Sequence, residues 1–304
     1  MPEPTPLHSL GEDAVLSRLL SHLPAPADSS LLLGPGDDCA VVRRDAEWDT
    51  LLKTDALVEG VHFTPDTAAE LIGRKALARA VSDIAAMGGL PEHALITLMV
   101  HPSRPIEQPE GIYRGLAALA ASFGISLAGG ETTALPQNGL ALAITLTGRV
   151  ERGCAVLRSG GRPGDVLCVS GALGGSFHSG RHLSFTPRVA LARDLLRLGL
   201  RPTAMMDLSD GLAADLPRLA RASGCAYMVD ETALPRHPGC SVQQALCDGE
   251  DYELLLALPP ALAATLPQHP QLGLTPIGRL TPAGSTPQLS GGWQHFSSPP
   301  STPL

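Results

Sequence analysis

Carboxylates beside small residues recur along this 304-residue chain, at Gly36-Asp37-Asp38, Thr54-Asp55, Ser82-Asp83, Gly129-Gly130-Glu131, Asp207-Leu208-Ser209-Asp210 and Gly249-Glu250-Asp251. Any one of them reads as a turn former or a helix N-cap, and Asp83 and Asp210 each precede a helix-like stretch where capping is physically sound. Taken together they stand at the ends of strongly apolar segments, where loops from several strands can converge on one site. Like charges brought within about 4–6 Å raise one another's pKa by units unless something neutralises them. Magnesium suits that role, because it takes hard oxygen ligands and completes its shell with water and substrate phosphates. Such a cluster, holding several Mg²⁺ ions and a nucleoside triphosphate, fits phosphoryl transfer, which needs positive charge across the β- and γ-oxygens.

Other phosphate chemistries lack their motifs. There is no GxxxxGK[ST] loop, no HRD or DFG set, no HExxH and no GxSxG. The run GALGGS at 171–176 could cradle a phosphate, or serve as a plain strand-to-helix loop. Arg158, in a turn and permanently charged, suits a phosphate clamp as well as a solvated surface. Trp293 is one of two Trp in a chain with 3% aromatics, and its face suits a cation or a flat heterocycle, or simply a core. His62 ends a strand-like run, where a structural histidine is the plainer reading.

The elements that must position these residues form a mixed pattern. Helical spacing appears over 11–23, 68–88, 107–123 and 187–198. Short β-like segments run from Leu31 to Val42, broken by GPGDD, and from Thr50 to Phe63; others fall at 94–100, 125–128, 140–150 and 165–171. A strand-to-helix passage covers 205–224, and DGEDYELLLAL follows at 248–258. The reading is α/β (α+β), with two domains divided near residue 150, as 1–150 and 151–304. Both halves carry strands, helices and acidic turns, but no repeat is convincing. The tail from about 297 reads as disordered.

Composition bounds the rest. A net charge of −8 disfavours a general affinity for nucleic acid. No apolar run approaches the roughly 20 residues needed to span a bilayer. Six cysteines without a Cys-x-x-Cys pair argue against zinc and a disulfide framework, and the N-terminus lacks a secretory signal pattern, so the cytoplasm is the expected location. Of 22 basic residues only Lys53 and Lys75 are lysine, and both fall in the acidic motif region.

In order and separation, GPGDDCAVV, KTDALVEGVHF, RKALARAVSDIAAMGG, GGETT, RSGGRPGD, MMDLSDGLAADL and GEDYELL resemble the bacterial thiamine-monophosphate kinases. The likeness runs from about residue 11 to Phe296. GDDCAV, SDIAAMG and GEDYEL distinguish that branch from its relatives aminoimidazole ribonucleotide synthetase, selenophosphate synthetase and a hydrogenase maturation factor. The resemblance implies an aminoimidazole ribonucleotide synthetase-like fold of two α/β domains, with N-terminal domain sheets pairing in a homodimer. It implies ATP-dependent phosphorylation of thiamine monophosphate to thiamine diphosphate, without a phosphoenzyme. Position by position, it makes Asp38, Thr54, Asp55, Asp83, Glu131, Asp207 and Asp210 metal-binding, with Asp55, Asp83, Asp207 and Asp210 central to catalysis. Gly130, Glu131, Arg158, Ser209 and Tyr113 fall at nucleotide positions, and His62, Glu250 and Trp293 at thiamine positions. The chain departs from the pattern twice, with Glu131 where Asp is usual and Lys53 where a small hydroxyl residue is common. Lys53 would either take part of a metal's role or point away. Two other readings compete: another ATP-dependent member of the superfamily, and a protein that holds nucleotide or thiamine phosphate without turnover.

Overall fold

The computed structural model describes residues 5–284 and 289–295, so the tail expected to be disordered from about 297 lies outside the described residues. A helix, α1 (Glu12–Leu20), opens the fold, with Glu12 and Asp13 in its first turn where the helix dipole favours negative charge. A six-stranded sheet follows from β1 (Leu31–Leu33), β2 (Ala40–Arg43), β3 (Trp48–Val58), β4 (Leu90–Val100), β5 (Ser126–Ala134) and β6 (Leu140–Glu151). Its order is β1-β2-β3-β6-β4-β5, and only β4 and β5 run parallel. A parallel pair needs a long crossover, and α3 (Glu107–Phe123) supplies it.

Side chains in this sheet alternate between two faces. Along β6, Leu140, Leu142, Ile144, Leu146 and Val150 are buried in one core with Ile72, Leu77, Val81 and Ile84 of α2 (Ala69–Ala86). The opposite face mixes threonines and charged residues with apolar ones, and Leu52, Val58 and Leu95 stand exposed on it.

The second sheet comprises β7 (Val166–Val169), β8 (Ala204–Asp207), β9 (Cys225–Val229), β10 (Leu254–Leu258) and β11 (Thr275–Pro282), in the order β8-β10-β7-β11-β9 with antiparallel neighbours. β10 reads LLLAL without polar alternation because both of its faces are covered. Leu255 and Ala257 join a core with Leu212, Leu216 and Leu219 of α6 (Leu212–Ala222), while Leu254, Leu256 and Leu258 join one with Leu195 of α5 (Val189–Arg197) and Ala86 of α2. Two short helices, α4 (Ser176–Ser179) and α7 (Val242–Cys247), complete the elements that border the site.

Two sequence expectations are corrected. GGETT is no turn: the strand expected over 125–128 extends to Ala134, because β5 pairs with β4 along that whole length. Asp83 does not precede a helix but lies in the last turn of α2.

The position of α2 is fixed by backbone contact. A Cβ on Gly73 would lie 1.9 Å from the carbonyl oxygen of Ile112 in α3, and one on Gly115 of α3 would lie 1.9 Å from that of Glu70. Alanine has the higher helix propensity by about 1 kcal/mol, but here it would force the helices apart. Gly115→Ala is expected to lower stability by roughly 1–3 kcal/mol, read as a reduced urea midpoint, whereas an unchanged or raised midpoint would show that the helices can separate freely.

Candidate active site

Three apolar elements each end in a buried carboxylate at one point. Asp207 is the last residue of β8, Asp83 sits near the end of α2, and Asp38 lies in the turn between β1 and β2. One oxygen from each can be chosen so that all three lie within 4.8 Å of one another. Burial, and then repulsion from Asp38, pushes Asp207 up to about 6. Burial likewise holds Asp83 well above the usual carboxylate range, against the pull of Lys53. Neighbouring Asp37 is also pushed up to about 6, by burial and by Asp38.

The protein neutralises this charge only in part. Arg158 clamps Asp38 Oδ1 through Nη2 and, at 3.2 Å, Nε, while Asp38 Oδ2 is buried with no hydrogen-bond partner among the described residues. Lys53 Nζ donates to Asp83 Oδ1 at 2.8 Å, so its ammonium faces the cluster. Burial opposes that charge, yet Asp83 and Asp55 outweigh it and hold the lysine above its ordinary pKa. Arg79 reaches Asp55 at 3.1 Å. Asp207 accepts a hydrogen bond from Ser82 Oγ at 2.6 Å and, among the described residues, has no ion-pair partner. Hard carboxylate oxygens, one of them orphaned in the interior, fit a divalent cation.

Beside the cluster lies a cavity of about 750 Å³, lined by Lys53, Asp83, Arg158, Asp207, Ser209 and Asp210 and, from α1, by Leu16 and Leu20. A second cavity, of about 500 Å³, shares Ser209 and Asp210 with it. Its walls include His62, Arg79, Phe177, His178, Glu250, Tyr252, Trp293 and His295. Trp293 is anchored there by its backbone N–H, which donates to the Asp210 carbonyl at 2.9 Å. His62 Nδ1 accepts from the Val58 N–H at 3.0 Å, which leaves the proton on Nε2. Burial first, then Arg79 and Lys75, pull this imidazole down to about 3, so it is neutral. Glu250 and Tyr252 adopt φ of 53° and 52°, a costly conformation for side-chain-bearing residues. Backbone bonds from Glu250 to Ser209 and from Tyr252 to Leu208 lock it, as does the ring of Phe185 stacked on Tyr252 at 4.0 Å.

Most residues expected at a site therefore meet at this pair of cavities: Asp38, Asp55, Asp83, Arg158, Asp207, Ser209 and Asp210 around the acid cluster, and His62, Glu250 and Trp293 in the second cavity. Four do not. Thr54 projects from the exposed face of the sheet, opposite Lys53 and Asp55. Gly130 and Glu131 lie on edge strand β5, three strands from β3, or about 14 Å. Tyr113 stands exposed on α3. Nor do Asp83 and Asp210 cap helices, since Asp83 is inside one and the Asp210 carboxylate pairs with Arg218, while α6 has no side-chain cap. Lys75 stood out only as one of two lysines, with no role assigned, and Arg79, Phe177, His178, Tyr252 and His295 were missed. For two of them a signal existed, because Lys75, Arg79 and Asp83 recur every four residues and so share one helix face.

Asp207 supplies a test of the cluster as a cation site. Its pKa is raised in the fold, so its ionised form costs stability that is recovered as pH falls through about 6. At pH 7.5, Asp207→Asn is expected to raise metal-free stability by roughly 1–3 kcal/mol while shrinking the increase in Tm that Mg²⁺ produces. A variant with lower metal-free stability and an undiminished Mg²⁺ response would remove Asp207 from the cation site.

The chain matches known proteins over this whole arrangement. Residues 36–150 match the AIR synthase related protein, N-terminal domain. The thiamine-monophosphate kinase of Salmonella typhimurium is 35% identical over 256 residues, covering 74% of this chain and 76% of that protein. That of Escherichia coli K12 is 34% identical over 277 residues, covering 82% and 84%. Among solved structures, AaThiL complexed with AMPPCP and TMP superposes with a TM-score of 0.83 at 29% identity, covering 96% of this chain and 99% of that one. With identity of this level spread over more than two thirds of both sequences, the chain belongs to the thiamine-monophosphate kinase family.

Proposed function

We propose that this protein transfers the γ-phosphoryl group of ATP to thiamine monophosphate, giving thiamine diphosphate and ADP. The observation that carries the reading is the pair of cavities joined at Ser209 and Asp210, one acidic with a charged clamp and one walled by aromatic rings. It is supported by the relatives' activity and by AaThiL, which is complexed with both AMPPCP and TMP.

Mg²⁺ would be held by Asp38, Asp83 and Asp207, with Asp55 and Asp210 beside them, and would supply positive charge across the β- and γ-oxygens. Arg158, which reaches Asp38 at the edge of the cluster, would clamp a phosphate oxygen. The acceptor's phosphate oxygen attacks the γ-phosphorus, forming the new O–P bond as the bond to the β-phosphate oxygen breaks. A phosphate oxygen is already a competent nucleophile, so positioning suffices without a general base. Trp293 offers its ring to the cationic thiazolium, and neutral His62 places an N–H donor, not a second cation, in that cavity.

We also assign the active form as a homodimer, residues 1–150 forming the dimerisation and metal-binding domain and 151–304 completing the site. The exposed Leu52, Val58 and Leu95 on the outer face of the first sheet support this, as does the position of Glu131. Its register runs through Thr97 and Ala143 to Ala56, on the same face as Thr54. A second copy packed on that face would bring its Gly130 and Glu131 against its neighbour's Thr54, on the strand that carries Lys53 and Asp55. No helix among the described residues is long and apolar enough to cross a membrane, and the free cysteines support a cytoplasmic location.

Incubation with ATP, Mg²⁺ and thiamine monophosphate should yield thiamine diphosphate and ADP in equal amounts; ATP consumed only with another acceptor, or binding without turnover, would overturn the assignment. Trp293→Ala is expected to weaken acceptor binding by about 1–3 kcal/mol and leave the KM for ATP unchanged, whereas equal losses would make Trp293 an architectural residue. Subunit mixing tests the dimer. Glu131→Gln and Asp83→Asn subunits, each inactive alone, should recover about one quarter of parental activity when exchanged at equal concentration, since half the dimers then hold one intact site of two. No recovery after verified exchange would return Glu131 to its own subunit's site, or to none.

A further inference from the structure

Lys75 is fully buried, with 0% of its side chain exposed. Its Nζ donates to the Glu250 carboxylate Oε2 at 2.5 Å and to the His62 carbonyl at 2.5 Å. Those two partners come from opposite halves of the chain, His62 just beyond β3 and Glu250 before β10, and both line the aromatic cavity. The arrangement is costly. Burial pulls the ammonium down to about 8 even with Glu250 beside it, and an apolar side chain of equal length would avoid that penalty.

The contact has a geometric use. Lys75 and Asp83 are eight residues apart on one face of α2, which separates them by about 12 Å along a rigid helix. The same helix thus presents a carboxylate to the acid cluster and an ammonium to the residues of the acceptor cavity. Glu250 sits in the left-handed region, a conformation that persists only where surrounding contacts over-determine it. Lys75 occupies Oε2, leaving Oε1, with the Tyr252 hydroxyl at 3.4 Å, to meet a donor on a ligand.

We propose that Lys75 is a positioning residue for the phosphoryl acceptor: it holds the Glu250 carboxylate and the His62 turn in fixed register with the acid cluster, so that an N–H donor of the acceptor's heterocycle meets Glu250 Oε1 in one orientation. This rests on the kinase reading above.

Lys75→Met, Glu250→Gln and the double variant test it, with KM for both substrates, thiamine monophosphate binding by calorimetry, and Tm measured on the full chain. Lys75→Met is expected to raise the acceptor's KM by at least about tenfold and to change that of ATP by less than about twofold. The double variant is expected to bind acceptor no more weakly than Glu250→Gln alone, because both changes remove one interaction, and to have a Tm at or above the parent's. An acceptor KM within about twofold of the parent, a parallel rise in both KM values with a lowered Tm, or independent losses that multiply in the double variant would each overturn the proposal. If Lys75→Met does not fold, Lys75→Arg decides by the same split between acceptor and ATP. A parent that neither binds nor phosphorylates thiamine monophosphate overturns the kinase reading and this inference together. A parent that phosphorylates it while Lys75→Met keeps its acceptor KM overturns the inference alone.

Discussion

Like charges held a few ångströms apart where little water reaches repel strongly, and each pushes the other toward its protonated form. Asp38, Asp83 and Asp207 are in that position, and much of the surrounding structure answers to it. Arg158, Lys53 and Ser82 each satisfy one carboxylate oxygen, and Arg79 does the same for Asp55 nearby. The compensation is incomplete, because among the described residues one oxygen of Asp38 has no hydrogen-bond partner and Asp207, though near Lys53 and Arg158, forms no ion pair. A site left in that state favours an incoming cation, and a cation that arrives with a polyphosphate balances both itself and the cluster.

The cluster must also be aligned with a second site, since phosphoryl transfer tolerates little error in distance between donor and acceptor. Two devices meet this need. Ser209 and Asp210 border both cavities, so the loop that ends β8 is common ground. Helix α2 then ties the cavities together at longer range through Asp83, Arg79 and Lys75, with its own location fixed by glycine contacts to α3. The strained loop at Glu250 and Tyr252 belongs to the same scheme. Its conformation is held from three sides, by backbone bonds to the β8 loop, by the Phe185 ring and by Lys75.

Much of this was legible in the sequence, and what was not has physical reasons. Periodicity located α2 and α3 to within a residue or two, because long amphipathic runs determine their own period. It stopped β5 short, since Gly129 and Gly130 read as a turn; Gly130 is instead required because a Cβ there would lie 1.8 Å from the Ile96 carbonyl. Acidic motifs pointed to a converging cluster, and Asp38, Asp83 and Asp207 do converge. Glu131 and Thr54 could not be separated from them, because sequence gives a residue's type but not which face of a sheet it occupies. The cationic counterpart was legible only in part: Arg158 suited a clamp and Lys53 and Lys75 stood out as the only lysines, but their partners did not. Arg79 and Lys75 look like ordinary helix-surface residues until the partners on β3 and before β10 are folded against them.

The touching backbones of Gly73 and Gly115 bear on how this protein can change over time. Where helices meet through side chains, substitutions alter the spacing gradually and neighbouring residues adapt. Here the separation is set by main-chain atoms, so mutational drift elsewhere in the first core has little leverage on the placement of α2. The chemistry borne by that helix is therefore insulated from the steady turnover of the residues around it, at the cost of two positions where almost no replacement is open.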